Sequence, residues 1–192
     1  MIRRPPRATQ SRSSAASDVY KRQIIDWRNW AKPYEDDKIH LLTVGGFAGT
    51  GKTTLIAHLR KILGSGTNVA FVTFTGKASS VLKRKLENQN VLYPNDYVGT
   101  IHGLIYKPLF KINEQTGAKV VCGWTNVDFI GSYDLIIIDE ASMVNKEIFD
   151  DLSSYKVPIL AVGDHGQLPP VSNTDGFNLM GKPQLKLETI HR

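Results

Sequence analysis

A chain of 192 residues has room for one domain and a tail, and a domain of about 150 residues buries roughly 70% of its unfolded surface. The single cysteine, Cys122, excludes an internal disulfide and suits a reducing compartment, and no apolar run approaches the roughly 20 residues that span a bilayer. Most of the net charge of +6 lies in residues 1–23, which hold six basic side chains and one acid; the remainder holds 18 basic and 17 acidic, so overall charge is no argument for nucleic acid.

Residues 1–23 lack apolar periodicity and core-forming side chains, which predicts disorder. A basic arm, an Arg- and Ser-rich transit peptide, and non-native sequence resembling a translated sequencing adapter are the three readings; the last is preferred, and the segment is set aside from the fold. Ile24, Ile25, Trp27 and Trp30 predict a short amphipathic helix over Ile24–Ala31, ended by Pro33 and the acidic run from Glu35. Leu41–Val44 reads as a strand, and Thr53–Leu63 as a helix stopped by Gly64-Ser65-Gly66. Val69–Phe74 is an apolar strand, followed by a helix from about Thr75 to Asn88. In that helix Val81, Leu82 and Leu86 face the core, and Lys83, Arg84 and Lys85 form a solvated face. Within a variable stretch at about 103–132, Phe110–Asn113 and Lys119–Trp124 flank a Gly-containing turn and predict a β-hairpin insertion. Leu135–Ile138 and Val157–Val162 are buried strands on either side of a helix, Asn145–Ser153. Strands alternating with helices, several apolar on both faces, predict an α/β fold with a parallel sheet covered on both sides.

The most informative stretch is Gly46 to Thr53, GFAGTGKT, set between the first strand and its helix. It fills every fixed position of G-x-x-x-x-G-K-[ST], the phosphate-binding loop of P-loop NTPases. Glycines let successive N–H groups converge on one phosphate, and the helix N-terminus adds partial positive charge. The nucleotide-contacting candidates are Gly46, Ala48, Gly49, Thr50, Gly51, Lys52, Thr53 and Thr54. Lys52 brings a full charge to the β- and γ-phosphates, and the Thr53 hydroxyl suits Mg²⁺. ATP and Mg²⁺ are therefore the expected cofactors; a chance Gly-Lys-Thr turn is the alternative.

Two further strand ends carry polar groups to the same sheet edge, where ligands of parallel sheets bind. In LIIIDEASM, Leu135 to Met143, Asp139 is positioned to hold Mg²⁺ and Glu140 to orient or deprotonate an attacking water. A strand that merely ends in acids is the alternative. In VGDHGQLPPV, Val162 to Val171, Gln167 both donates and accepts and suits sensing of a γ-phosphate or its attacking water, with Pro169 and Pro170 stiffening the chain beyond it. A plain turn explains the same residues.

Together these segments resemble superfamily 1 helicases, and within them the 1B branch of RecD-like and Dda-like DNA helicases, over about residues 24–192. GGFAGTGKT resembles motif I, Phe74–Ser79 (FTGKAS) motif Ia, Thr100-Ile101-His102 motif Ib, DEASM motif II, GDHGQLPPV motif III, and Leu187–Arg192 the start of motif IV. The resemblance implies a RecA-like domain of an ATP-driven motor that moves on single-stranded DNA, usually 5′ to 3′, in the cytoplasm of a bacterial or phage-infected cell. It implies that Arg192 reaches the γ-phosphate, and that Thr75, Gly76, Lys77, Thr100 and His102 contact DNA. The N–H groups and hydroxyl at Thr75–Lys77 suit a phosphate grip without sequence readout, although Thr75 equally reads as a helix cap and His102 as structural. The hairpin falls where Dda-like helicases carry a strand-separating pin, with Phe110 or Trp124 as its wedge. The family's adenine-reading glutamine upstream of motif I is not assigned, since Gln23 lies at the suspect junction. A second RecA-like domain, expected in the complete protein, is absent from the 192 residues. The chain alone is expected to bind Mg-nucleotide, hydrolyse it poorly and not unwind DNA. An RNA-acting helicase and a free-standing nucleotide-switched binding module are the rival readings.

Overall fold

In a computed structural model the described residues are 12–33, 40–167 and 176–187, with side chains described from Val19 onward. The core is a six-stranded sheet ordered β3-β2-β6-β7-β1-β8. Its strands are β1 (Leu41–Gly46), β2 (Val69–Thr73), β3 (Tyr97–Thr100), β6 (Leu135–Asp139), β7 (Ile159–Gly163) and β8 (Leu185–Leu187). Every pairing in it is parallel. Helices α2 (Lys52–Leu63), α3 (Gly76–Asn88), α4 (Ile101–Ile105) and α5 (Lys146–Ser153) connect the strands. The remaining strands, β4 (Tyr106–Ile112) and β5 (Lys119–Asn126), form a separate antiparallel hairpin.

Apolar runs such as LIII have no polar face because both faces of the sheet are covered. Side chains alternate along a strand. Accordingly Ile136 and Ile138 join a cluster with Val72, Ile148 and Leu152. Leu135 and Ile137 join the opposite cluster with Phe71, Ile56, Leu82 and Leu86. Val81, expected in the core, is only partly buried.

The first helix, α1 (Arg12–Trp30), corrects the expectation of disorder through residue 23. Residues 12–23 contain no proline or glycine, so nothing interrupts a helix there. Tyr20 and Trp27 pack on the α2/α3 cluster, in which Ile24 is fully buried. Tertiary contact supplies what weak periodicity concealed. Residues 1–11 lie outside the described residues.

Two short edge strands were not foreseen from sequence. β3 pairs with β2 and sets Thr100 opposite Thr73. β8 pairs with β1, and Gln184 just before it locks the register: its side-chain oxygen accepts from Thr43 N at 2.7 Å, and Thr43 Oγ1 accepts from Gln184 N at 3.0 Å.

The hairpin turn is built on Asn113, whose Oδ1 accepts from Gln115 N (2.9 Å) and Thr116 N (3.2 Å), with Gly117 at φ 66°. Its base is clamped to the domain. Tyr106 donates to Asp151 of α5, and Tyr155 Oη donates to Val127 O at 2.7 Å. Phe110 and Trp124 are exposed, with Lys119 Nζ 4.3 Å from the Phe110 ring centre.

At the opposite edge from the strand ends, Arg60 of α2 is completely buried against Asp96. Its Nε and Nη2 donate to Asp96 at 2.7 and 3.0 Å, and Nη1 and Nη2 donate to the carbonyls of Gly64 (2.6 Å) and Thr67 (3.1 Å). Asp96 also accepts from Val69 N (3.1 Å) and Tyr93 N (2.9 Å), and the Tyr93 ring lies 4.2 Å from the guanidinium carbon. Every charge in this knot is paired, which is the condition for burying it.

Candidate functional site

The loop after β1 has the geometry of an anion cradle. Gly49 (φ 82°) and Gly51 (φ 84°) occupy the left-handed region, which glycine enters at little cost. Gly46 is close-packed: a Cβ there would come within 2.5 Å of Thr50 Oγ1. Thr50 closes the turn, its N and Oγ1 donating to Phe47 O at 3.2 and 2.9 Å. Gly51 caps α2 without a side-chain bond, so the first N–H groups of α2 are left to a ligand. Lys52 Nζ folds back over the loop and donates to Gly46 O (2.7 Å) and Phe47 O (3.0 Å).

The carboxylates arrive on β6. Register pairs Asp139 with Thr73 of β2, placing it at the carboxyl edge. Glu140 follows in the left-handed region (φ 58°, ψ 39°), an uncommon conformation for glutamate and of the kind held at functional sites. A 3₁₀ turn over Ala141–Met143 continues the chain. The turn buries Asp139 partly and leaves Glu140 exposed.

Burial pushes the Asp139 carboxyl above its usual value. The Glu140 N–H, donating to Asp139 Oδ1 at 3.0 Å, opposes this, the Glu140 charge adds to it, and Lys85 and Lys52 pull it down. An unfolded aspartate ionises near about 3.9. The native state therefore holds the proton more tightly than the unfolded chain does, and the stability Asp139 contributes is present at low pH and lost as pH rises through the raised folded value. Cation binding has the opposite sign, since it requires the carboxylate. Asp139→Asn should therefore stabilise the nucleotide-free fold at neutral pH and weaken Mg²⁺-dependent nucleotide binding, by less than the loss of the Lys52 ammonium does. Thermal melting and nucleotide titration from about pH 3 to 8, a range that begins below the unfolded value, check both; identical pH profiles for the two proteins would refute this account.

A cleft of about 320 Å³ gathers Lys52, Thr53, Asp139 and Glu140. Thr75 and Lys77, expected on DNA, line the same cleft from α3, as does Lys85, which the sequence placed on a solvated face. Lys85 is exposed as expected, yet it borders the carboxylates rather than bulk solvent alone. A lone carboxylate, a threonine hydroxyl and a phosphate loop are hard oxygen donors of the kind Mg²⁺ takes together with substrate phosphates. The Gly46 cradle and the uncapped α2 N-terminus fit a triphosphate.

The loop after β7 lies against the phosphate loop and the turn after Glu140. Parallel register sets Gly45 opposite Gly163. Asp164 Oδ1 accepts from Gly166 N (2.9 Å), and Gln167 N donates to Asp164 O (3.3 Å). Ser142 Oγ donates to Gln167 Oε1 at 2.9 Å, joining the Gln167 side chain to the segment just after Glu140. Phe47 of the phosphate loop meets His165 with ring centres 4.5 Å apart. Ser142, Phe47 and His165 were not singled out from sequence; each stands inside a recognised motif, but its partner lies on another loop. Pro169, Pro170 and Arg192 lie outside the described residues.

Along the same edge, Thr75 caps α3 by accepting from Ala78 N (3.2 Å), and Thr100 caps α4 by accepting from Gly103 N (3.0 Å). A capping hydroxyl keeps its own proton, so it can still donate to a phosphate. His102 is exposed, its ring 5.3 Å from Tyr106 and 6.0 Å from Phe74. A Cβ at Gly76 would meet nothing within 4 Å, so the backbone there is open to close approach.

A parallel sheet carrying a glycine loop, lysine and carboxylates at its carboxyl edge defines a P-loop NTPase domain of RecA-like topology. Comparison with known proteins is consistent with this. The chain belongs to the AAA domain family, which it matches over residues 32–173. It is 33% identical over 147 residues to an uncharacterized protein of Acanthamoeba polyphaga mimivirus, covering 69% of this chain and 29% of that protein. It is 32% identical over 141 residues to the ATP-dependent DNA helicase dda of Enterobacteria phage T4, covering 70% of this chain and 29% of the helicase. The chain thus spans less than a third of the length of these relatives. Among solved structures, Bacteroides Pif1 bound to single-stranded DNA superposes with a TM-score of 0.55 at 21% identity, covering 95% of this chain and 43% of that one, which establishes the fold. The resemblance to RecD-like and Dda-like helicases holds in sequence, and the fold is that of a RecA-like P-loop domain. No described helix is long and apolar enough to cross a membrane.

Proposed function

We propose that this chain is the nucleotide-hydrolysing RecA-like motor domain of an ATP-dependent DNA helicase. The observation that carries this reading is the shared cleft, in which Lys52, Thr53, Asp139 and Glu140 face Thr75 and Lys77. Nucleotide and strand contacts then sit on one sheet edge, so a shift in one is felt by the other. Lys52 exchanges its loop carbonyls for the β- and γ-phosphates. Thr53 and Asp139 are the residues that would hold Mg²⁺, which when bound neutralises developing phosphate charge. Glu140 takes the proton of the attacking water, and Gln167, steadied by Ser142, orients that water. Arg192 reaches the γ-phosphate in this reading, and a second RecA-like domain completes the motor, which moves 5′ to 3′. A cytoplasmic location accords with this chemistry.

In this reading the second RecA-like domain supplies a second arginine to the ATP site, and arginine fingers contribute about 10³–10⁵ in rate, so the 192 residues alone should bind Mg-ATP yet turn it over slowly. The deciding experiment titrates the chain with a fluorescent single-stranded DNA and an RNA of equal length, with and without Mg-ATP. DNA should bind more tightly, its affinity should change with nucleotide, and Lys77→Ala should weaken DNA binding. Equal affinity for RNA would instead favour an RNA-acting helicase. Rapid DNA-stimulated hydrolysis by the isolated chain would overturn the need for a second domain.

A further inference from the structure

Phosphate binding explains most of the GFAGTGKT loop but not Phe47, a half-exposed aromatic ring in a segment built for anions. Its carbonyl is a hub, accepting from Thr50 N, Thr50 Oγ1 and Lys52 Nζ at 3.2, 2.9 and 3.0 Å. Its ring meets His165, two residues before Gln167. The two loops interlock: a Cβ on Gly166 would come within 2.9 Å of the Phe47 ring, and one on Gly45 within 3.0 Å of His165 Nδ1. His165 Nδ1 is buried without a hydrogen-bond partner among the described residues. A buried unpartnered nitrogen is costly and marks an arrangement with something to gain by moving.

We propose that the Phe47–His165 contact positions Gln167 according to what the phosphate loop holds, and so sets the discrimination between nucleoside tri- and diphosphate. The inference rests on the nucleotide-binding reading of the cleft. Lys52 Nζ holds two carbonyls: the β-phosphate takes the place of Gly46 O, and only a γ-phosphate also takes the place of Phe47 O. With only the Thr50 bonds left on its carbonyl, Phe47 pivots about them, and its ring carries His165 and the short Gly166-Gln167 segment with it. Gln167 is held at its other side by Ser142, next to the acid pair, so the movement ends at the reacting water. His165 and Phe47 are positioning residues here; neither touches the reacting atoms.

The test measures binding of Mg-ADP and of the non-hydrolysable Mg-AMP-PNP by calorimetry, for the wild-type chain and for His165→Ala, His165→Phe and Gly166→Ala. His165→Ala should lose affinity for AMP-PNP by at least about fivefold while ADP affinity stays within about twofold, the size expected of a coupling between sites. His165→Phe keeps a ring on Phe47 and should retain the wild-type ratio. Gly166→Ala, which pushes on the same ring, should reproduce the alanine effect by a route that leaves His165 in place. An unchanged ratio in both alanine variants, or an equal loss for the two nucleotides, overturns the proposal while leaving nucleotide binding intact. Failure of the wild-type chain to bind either nucleotide overturns the proposal and the functional reading together.

Discussion

Lys52→Ala is expected to lower Mg-ATP affinity by about 10²–10³, more than any other single truncation in the cleft, in line with the removal of one preorganised charged donor. The side chain already spans the loop, with Nζ on two carbonyls whose place a phosphate takes. The remaining positive potential comes from the uncapped start of α2, a partial charge that cannot replace an ammonium. The fold itself should be little affected, since among the described residues Nζ hydrogen-bonds only to its own loop and the α2 core residues Leu55, Ile56 and Leu59 are untouched. Isothermal titration paired with a melting curve separates binding from stability. Affinity within threefold of wild type would mean the loop is not the phosphate site.

The second large effect is on stability. Asp96→Ala should destabilise the domain by about 3–5 kcal/mol, the usual cost of stranding one member of a buried ion pair. Asp96 is 1% exposed and receives four N–H groups: two from Arg60, one from Val69 and one from Tyr93. Its loss leaves a fully buried guanidinium facing nothing of opposite charge. It also unties the start of β2 from the end of α2. Domains of this size hold only about 5–15 kcal/mol in total, so much of the margin goes. Urea denaturation gives the value directly, and a change below about 1 kcal/mol would show that solvent reaches the knot. Nucleotide affinity of whatever remains folded should be unchanged, because Val69 lies at the far end of β2 from Thr73.

Local chemistry was readable where a few adjacent residues carry it. Gly51, a fixed position of the phosphate-loop pattern, and Gly49 within the loop adopt left-handed geometry, and the hairpin turn forms around Asn113 and Gly117 as turn chemistry dictates. Helices α3 and α5 start at side-chain caps, Thr75 and Asn145. The extent of α1 was not readable, because Tyr20 becomes apolar contact only once α2 and α3 are beside it.

The amino-acid sequence by itself determined the parallel α/β class, the buried strands, the phosphate loop and the acid pair, because backbone conformation and apolar burial act through near neighbours. Only the tertiary structure decided the strand order, the edge strands β3 and β8, and the meeting of Lys52 and Asp139 with Thr75 and Lys77 in one cleft. It likewise decided the contacts of Gln167 with Ser142, Phe47 with His165 and Arg60 with Asp96. Each joins residues far apart in the chain, and no local preference encodes which distant partner will arrive. Sheet register and helix packing settle that choice, because they set which loops share the carboxyl edge.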